Sequence, residues 1–424
     1  MQDSSYCFFV PLCILLIYNL GKPFFSKDKS EIWSPITFVS LTLIYYVIKP
    51  SLGPLDHHDL GANTSQYQFL FYLVTLVFYV SLLIGFKRTK QASYLKFNSI
   101  ANESNVQRFA IILFVIAMVC YIPFRGFRYT ISADDAGVLA ERTGFVSYFV
   151  DLISLFVCSC CLAIVGLKDR AAGAFKKRIV VYVIIYFTLV IFIVAGFRFR
   201  LVILLLAIAT TYHLYPKPQK INYKVFVPIA IAAYLLFAVM DTARQYGAGI
   251  NLAEARTITL ADASKGAGES DAVCCFSIIT IDYATKHNLY YGIEPVVNAV
   301  FMPIPRAVFP WKPDGNYMRD IQVKVLGTSA NGAAMLNYIE GYLSLGFLGV
   351  IIYGLCMGWL CKKIWSNYRN NPTSISALIL LGIFNGFCYQ WISRGYLGGN
   401  FNSFIYFVIL PWWICSFINK RKKA

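Results

Sequence analysis

The stretch "VYVIIYFTLVIFIVAGFRFRLVILLLAIAT", Val181 to Thr210, holds two long apolar runs parted by Gly196-Phe197-Arg198-Phe199-Arg200. A surface helix of a soluble protein is apolar along one stripe only, whereas a helix that crosses hydrocarbon is apolar all round for about 20 residues. The two runs are therefore predicted to be neighbouring membrane spans, joined by a short turn that carries two arginines. Comparable runs recur outward in both directions. Of the 424 residues, 58% are hydrophobic, 17% aromatic and 14% charged, with a mean hydropathy of +0.59. Soluble domains carry about 25% charged residues, so the composition points to an all-α polytopic membrane protein.

About eleven transmembrane helices are expected, with ten to twelve compatible with the pattern. They fall at 6–20, 32–49, 67–86, 108–124, 145–167, 178–195, 200–215, 222–240, 336–360, 374–393 and 401–418. The chain then divides into N-terminal spans over 1–240, one large loop with short helices over 241–335, and C-terminal spans over 336–424. The opening residues "MQDSSYCFFV" lack the basic start of a cleaved signal peptide, so the first apolar run is expected to be retained.

The net charge of +17 does not read as a nucleic-acid surface, because the basic residues punctuate the apolar runs. Alternate connections gather 23 of the 38 Lys and Arg, among them Lys22, Lys87, Lys176, Lys217, Lys362 and the tail "NKRKKA". Short loops rich in Lys and Arg stay cytoplasmic, which puts the C-terminus inside and the large loop outside. Most of the twelve cysteines lie in or beside apolar runs without zinc-ligand spacing, so they read as small buried hydrophobes, the adjacent Cys274 and Cys275 included.

Within the outer loop, "AVCCFSIITIDYATKH", 272–287, reads as an amphipathic helix with Phe276, Ile279 and Tyr283 on one face, suited to a membrane surface. "PIPRAVFPWKPDG", 303–315, is rigid, cationic and aromatic. Arginines recur at the outer ends of several spans: Arg125, Arg128, Arg142, Arg198, Arg200, Arg244, Arg256, Arg306, Arg319 and Arg394. A guanidinium suits two-point recognition of phosphate, and a convergent set at the outer leaflet would suit a lipid-linked pyrophosphate. Taken singly, each also reads as an anchor to lipid phosphates or a partner for a nearby acid. Glu269-x-Asp271, Asp134-Asp135 and "DHHD" at 56–59 are superficial metal motifs. They lie in polar stretches, or on adjacent residues that seldom point at one ion, and no metal or other cofactor is expected.

The order of these features resembles the Wzy-type polymerases of O-antigen and related repeat units. A Gly-x-Arg lies between close spans, at Gly196-Phe197-Arg198. A large loop closes with Pro305-Arg306 and Pro310-Trp311-Lys312-Pro313. The next span opens with Glu340-Gly341-Tyr342 followed by Gly346-Phe347-Leu348-Gly349, and Arg142-Thr143-Gly144 precedes the fifth span. The resemblance covers roughly residues 140–350. It implies a helical membrane fold similar to that of the O-antigen ligases and of the helical membrane glycosyltransferases. It also implies metal-independent transfer of a glycan from undecaprenyl pyrophosphate to a lipid-linked repeat unit at the periplasmic face of the bacterial inner membrane. A chain-length regulator and a flippase would be partners.

On that resemblance Arg198, Arg306 and Arg244 are expected as pyrophosphate ligands, with Arg142 and Lys312 in second place. The proton acceptor is expected among Glu340, Asp282 and His287. Partial burial at the mouth of a span would raise the pKa of Glu340 toward usefulness. Trp311 and Tyr342 are expected against sugar, although Trp311 equally reads as an interfacial belt residue. Two alternatives stay open at this point: an O-antigen ligase, for which His287 would be the histidine among the loop arginines, and a lipid-linked oligosaccharide flippase.

Overall fold

The computed structural model describes residues 2–53, 68–89, 103–129, 152–167, 174–195, 198–242, 244–245, 249–250, 269–304, 308–311, 313, 317–327 and 334–420. Helices dominate them, and a two-residue antiparallel ladder pairs Arg244–Gln245 with Gly249–Ile250. Each of the eleven expected apolar runs carries helix within the described residues. Five helical stretches are long and apolar enough to cross a membrane: Cys7–Phe25, Gln68–Arg88, Asn337–Asn370, Ile375–Ser393 and Leu397–Phe417. Shorter apolar stretches cover Val106–Tyr121, Leu152–Leu167, Arg178–Val194 and Tyr223–Phe237. They are carried by the helices α5 (Glu103–Tyr129), α6 (Leu155–Leu167), α7 (Ala174–Val194) and α9 (Tyr223–Thr242), with α8 at Arg198–Leu214. Arg125 and Arg128, expected in a loop, lie on a helix that continues to Tyr129.

Two compact units interleave the chain, with boundaries that differ from the division expected at residues 240 and 335. One gathers Met1–Ser93, Gly268–Ser366 and Cys388–Asn402; the other gathers Tyr94–Ala267, Asn367–Phe387 and Ser403–Ala424. The second half of the large loop, described from Glu269 onward, thus belongs with the first helices of the chain.

In the first unit, α1 (Gln2–Phe25) lies along α4 (Gln68–Arg88), with Phe8 against Phe69 at 4.8 Å and Phe9 against Tyr72 at 5.0 Å. Between them in sequence, α2 (Pro35–Leu43) continues through a π-helical stretch, Ile44–Ile48, into α3 (Lys49–Ser51). The Ser40 and Tyr79 hydroxyls meet at 2.7 Å, which joins α2 to α4 and satisfies both buried groups.

The last long helix of this unit, Asn337–Asn370, is not one rod. Leu345 (φ −140°, ψ 27°) and Gly346 (φ 59°, ψ −142°) break it into a short segment, 337–344, and a long one, 347–370. A Cβ on Gly349 would lie 2.0 Å from the Gly341 carbonyl oxygen. In an unbroken helix those residues would stand about 12 Å apart. The chain therefore turns back on itself, and Tyr338 of the short segment and Tyr353 of the long one both meet the Phe78 ring, at 4.5 and 6.0 Å. Tyr338 also shares a 2.7 Å hydrogen bond with Thr75. The span expected at 336–360 is thus helical in two segments joined by this turn. Only glycine adopts the positive φ of Gly346 without steric penalty.

The long segment crosses α4 through glycines. A Cβ on Gly354 would lie 2.7 Å from the Phe78 carbonyl oxygen, one on Gly358 2.0 Å from that of Leu82, and one on Gly85 2.4 Å from that of Leu355. From Gly354 to Gly358 the partner advances from Phe78 to Leu82, so the two run parallel, backbone against backbone. Small residues four apart permit that approach where no hydrophobic effect drives helices together.

The second unit repeats the device. Its helix Leu155–Leu167 is buried on almost every side and packs antiparallel to Glu103–Tyr129, with Ser159 Oγ donating to the Ala110 carbonyl at 2.7 Å. A Cβ on Gly386 would lie 2.5 Å from Ile203 Cα, and one on Gly382 3.1 Å from the Ala207 carbonyl oxygen. The helix carrying them therefore presses its backbone on Arg198–Leu214.

Gly358→Ala is expected to destabilise the protein by about 1–3 kcal/mol through overpacking. Gly21→Ala, where a Cβ meets nothing within 4 Å, is expected to be neutral or to stabilise by about 0.5–1 kcal/mol. Melting of the detergent-solubilised variants, followed by size-exclusion chromatography, tests the contrast.

Candidate functional site

In the first unit, the second half of the loop forms α10 (Glu269–His287), a short helix α11 (Glu294–Phe301) and α12 (Tyr317–Leu326). The surface helix expected at 272–287 is instead part of the interior. Val273 to Ile278 are buried with Thr280, Ile281 and Ala284, and Ser277 Oγ accepts the Leu336 N–H at 2.9 Å. Polar Ser277 and Thr280 find their places inside the protein, so the amphipathic pattern did not mark a water-facing side. Cys274 and Cys275 are buried and unbridged.

The charged start of α10 meets cations. Glu269 accepts from the Arg394 guanidinium. Lys49 Nζ donates to Ser270 Oγ at 2.9 Å and stands 4.0 Å from Asp271. The Glu-x-Asp pair thus serves as a set of ion-pair and hydrogen-bond partners. Nearby, the Tyr46 and Tyr389 hydroxyls meet at 2.6 Å.

Glu340 lies in the short segment before the turn and is 1% exposed. Its Oε1 accepts from the Tyr317 hydroxyl of α12, and its Oε2 accepts the Leu397 N–H at 2.7 Å. Leu397 is the first residue of the helix Leu397–Phe404, so the carboxylate caps that helix from across the fold. The first N–H groups of a helix have no partner within it, and its dipole favours negative charge there. These two donors explain how a carboxyl group is accommodated inside the protein, where an unpaired one would be strongly disfavoured. The backbone closes the same junction, because the Gly395 N–H donates to the Met335 carbonyl at 2.7 Å. A Cβ on Gly395 would meet that oxygen at 3.0 Å and Met335 Cγ at 2.6 Å.

A row of tyrosines surrounds this carboxylate. The Tyr317 ring lies 5.8 Å from that of Tyr291 and 6.2 Å from that of Tyr396. Burial and the nearby Glu340 charge hold the Tyr317 phenol far above its ordinary pKa, so it stays a proton donor. Tyr291 donates to Asp320 Oδ2 at 2.6 Å, and Lys324 Nζ lies at the same distance from that oxygen. The Lys324 hydrogen bond, then that of Tyr291, lowers the Asp320 pKa below its ordinary value.

The other sequence-predicted residues fall in several places. Asp282 is ion-paired with Lys286 at 2.8 Å, one turn away on α10. His287 is exposed, stacks on Tyr283 at 4.1 Å, and sets Nδ1 3.0 Å from the Tyr283 carbonyl oxygen. A proton on Nδ1 would leave Nε2 as the lone-pair nitrogen. Tyr342 is 3% exposed and its hydroxyl meets Thr285 Oγ1 at 2.9 Å. Its ring packs near Tyr290 and Phe347, so it presents no open face to a sugar, contrary to expectation. Trp311, by contrast, is 84% exposed.

Of the expected pyrophosphate ligands, Arg198 opens a helix of the second unit and is partly buried. Its neighbour Arg200 is buried, with the guanidinium 5.8 Å from the Phe407 ring centre. Arg244 is described through its backbone in the two-residue ladder. Arg142, Arg306 and Lys312 lie outside the described residues.

Sequence reasoning missed Tyr317, Arg394's tie to Glu269, and Leu397 as partner of Glu340. None lies in a motif, and only the tertiary fold brings them together. No protein-family model, curated protein or solved structure matches the chain.

Tyr317→Phe is expected to cost about 1–3 kcal/mol, the range for stranding one partner of a buried hydrogen bond. Glu340→Gln should be tolerated better than Glu340→Ala, since an amide oxygen can still accept from Leu397. Asp320 contributes stability above its unfolded pKa of about 3.9, and this is lost as pH falls through the lower folded value. Asp320→Asn should therefore lower the melting temperature at neutral pH, and the gap to wild type should close in acid.

Proposed function

We propose that the protein is a glycosyltransferase of the O-antigen polymerase type, built of about eleven spans in the bacterial inner membrane. It would transfer a glycan from undecaprenyl pyrophosphate to a lipid-linked repeat unit at the periplasmic face. The observation that carries this reading is the placement of Glu340. The residue that the family resemblance sets at the start of the post-loop span is buried, and it joins the loop helix α12 to the helix that begins at Leu397. Such a joint gives a large outer loop one fixed position over the span ends, which a transferase needs to align two lipid-linked substrates.

In the transfer, an acceptor hydroxyl oxygen attacks the anomeric carbon, and the bond from that carbon to the pyrophosphate oxygen breaks. Undecaprenyl pyrophosphate leaves with the electron pair, and the hydroxyl proton passes to a base. Negative charge grows on the pyrophosphate, where fixed cations stabilise the transition state. Arg198 and Arg306 are the first assignments for that work, followed by Arg244, Arg142 and Lys312. Among the acids and bases, the geometry favours different roles. Glu340 has both oxygens engaged and acts as a positioning residue, while Asp282 is held by Lys286. His287 presents an exposed imidazole whose Nε2 can accept the proton.

Arg198→Ala and Arg306→Ala are each expected to replace the long-chain ladder of lipopolysaccharide with single repeat units on lipid A. Unchanged ladders in both variants would remove the assigned roles. A deletion strain that accumulates polymer on undecaprenyl pyrophosphate would point to a ligase. One that retains its repeat unit on the cytoplasmic leaflet would point to a flippase.

A further inference from the structure

Helix α11 is built inside out for a protein in water. Its buried side carries Pro295, Asn298 and Ala299, and just past its end the Met302 Sδ accepts from the Tyr396 hydroxyl at 3.7 Å. Its outer side presents Ile293, 70% exposed, with Val296 and Val300, each more than half exposed. The spacing of three and four puts these three on one stripe. The stripe continues past the helix end, where Phe301 stacks on Phe309 at 5.0 Å and Phe309 meets Trp311 edge-on at 6.2 Å.

This apolar stripe adjoins the turn of the broken helix. The Tyr291 N–H donates to the Leu343 carbonyl at 2.8 Å, and the Tyr290 ring lies 3.8 Å from where a Gly346 Cβ would stand. At that turn Leu345 and Leu348 are exposed, and Ile352 follows one turn further along the apolar segment 347–370. The outer stripe of α11 is thus continuous with the outward face of a helix apolar enough to cross a membrane.

We propose that the Ile293, Val296, Val300 and Trp311 face is a membrane-docking surface, seated among the acyl chains at the bilayer boundary. Apolar area left in water is unfavourable by about 25 cal/mol per Å², whereas lipid removes that penalty, and polar Asn298 faces the protein interior, away from it. Tryptophan concentrates at this boundary. The exposed carboxylate of Glu294, at the helix start, keeps the face at headgroup depth, as for other helices that lie in the interface. Since the end of α11 is tied through Met302 to Tyr396, whose ring neighbours that of Tyr317, the Glu340 partner, the docking sets the loop at the membrane surface. The proposal is independent of the reaction assigned above.

The test uses the full chain in nanodiscs of phosphatidylethanolamine and phosphatidylglycerol containing a lipid with a photoreactive diazirine on its acyl chain. After irradiation, mass spectrometry should find adducts on peptides covering 293–311 as well as on 345–352. The same residues should resist hydroxyl-radical oxidation. Val296→Lys with Val300→Lys should lose the adducts on 293–301 while keeping those on 345–352, which reports that the fold survives. Adducts confined to 345–352, with 293–311 oxidised, would overturn the proposal. So would protection from both reagents, which would mean that a second protein covers the face.

Discussion

Backbone-to-backbone contact at glycine holds this protein together. Gly85, Gly354 and Gly358 in one unit, and Gly382 and Gly386 in the other, stand where an added Cβ would strike a neighbouring helix within about 3 Å. Between apolar helices in lipid, hydrophobicity offers no preference for one partner over another. Shape then decides which helices meet, and a missing side chain is the simplest shape complement. The hydroxyl pairs Ser40–Tyr79 and Thr75–Tyr338 add directional bonds at those crossings.

The break at Leu345–Gly346 depends on the same geometry. Because Gly341 and Gly349 have no side chains, the short segment can fold against the long one, and this carries Glu340 into the interior. Irregular backbone among membrane helices is tolerated where the protein itself surrounds it, and Met335 to Glu340 are all buried. There the carboxylate meets a tyrosine from the loop and the start of a helix from further along the chain. A position that reads in the sequence as the opening of a span is, in three dimensions, the joint between loop and spans.

The apolar runs were legible because hydropathy is a local property. Every expected span corresponds to helix among the described residues, although five stretches meet the length and hydropathy of a full crossing. The candidate site was legible in part. Glu340 stood out as an acid at the edge of an apolar run, yet its partners Tyr317 and Leu397 lie 23 and 57 residues away. The amphipathic pattern at 272–287 misled, because polar Ser277 points inward, where it accepts the Leu336 N–H. The short helix α11 holds the outward apolar stripe instead, with Asn298 facing in.

By itself the sequence determined that the chain is helical, apolar along its length and basic in alternate connections, since each of these follows from the composition of a local window. It also placed the glycines, which mark where helices can approach. Only the tertiary structure decided that the helix at Asn337 turns back, that Glu340 caps a distant helix, and that the charges at the start of α10 meet Lys49 and Arg394. The reason is physical: burial, pairing and a positive φ depend on which distant residues arrive at the same place, and no local window contains that.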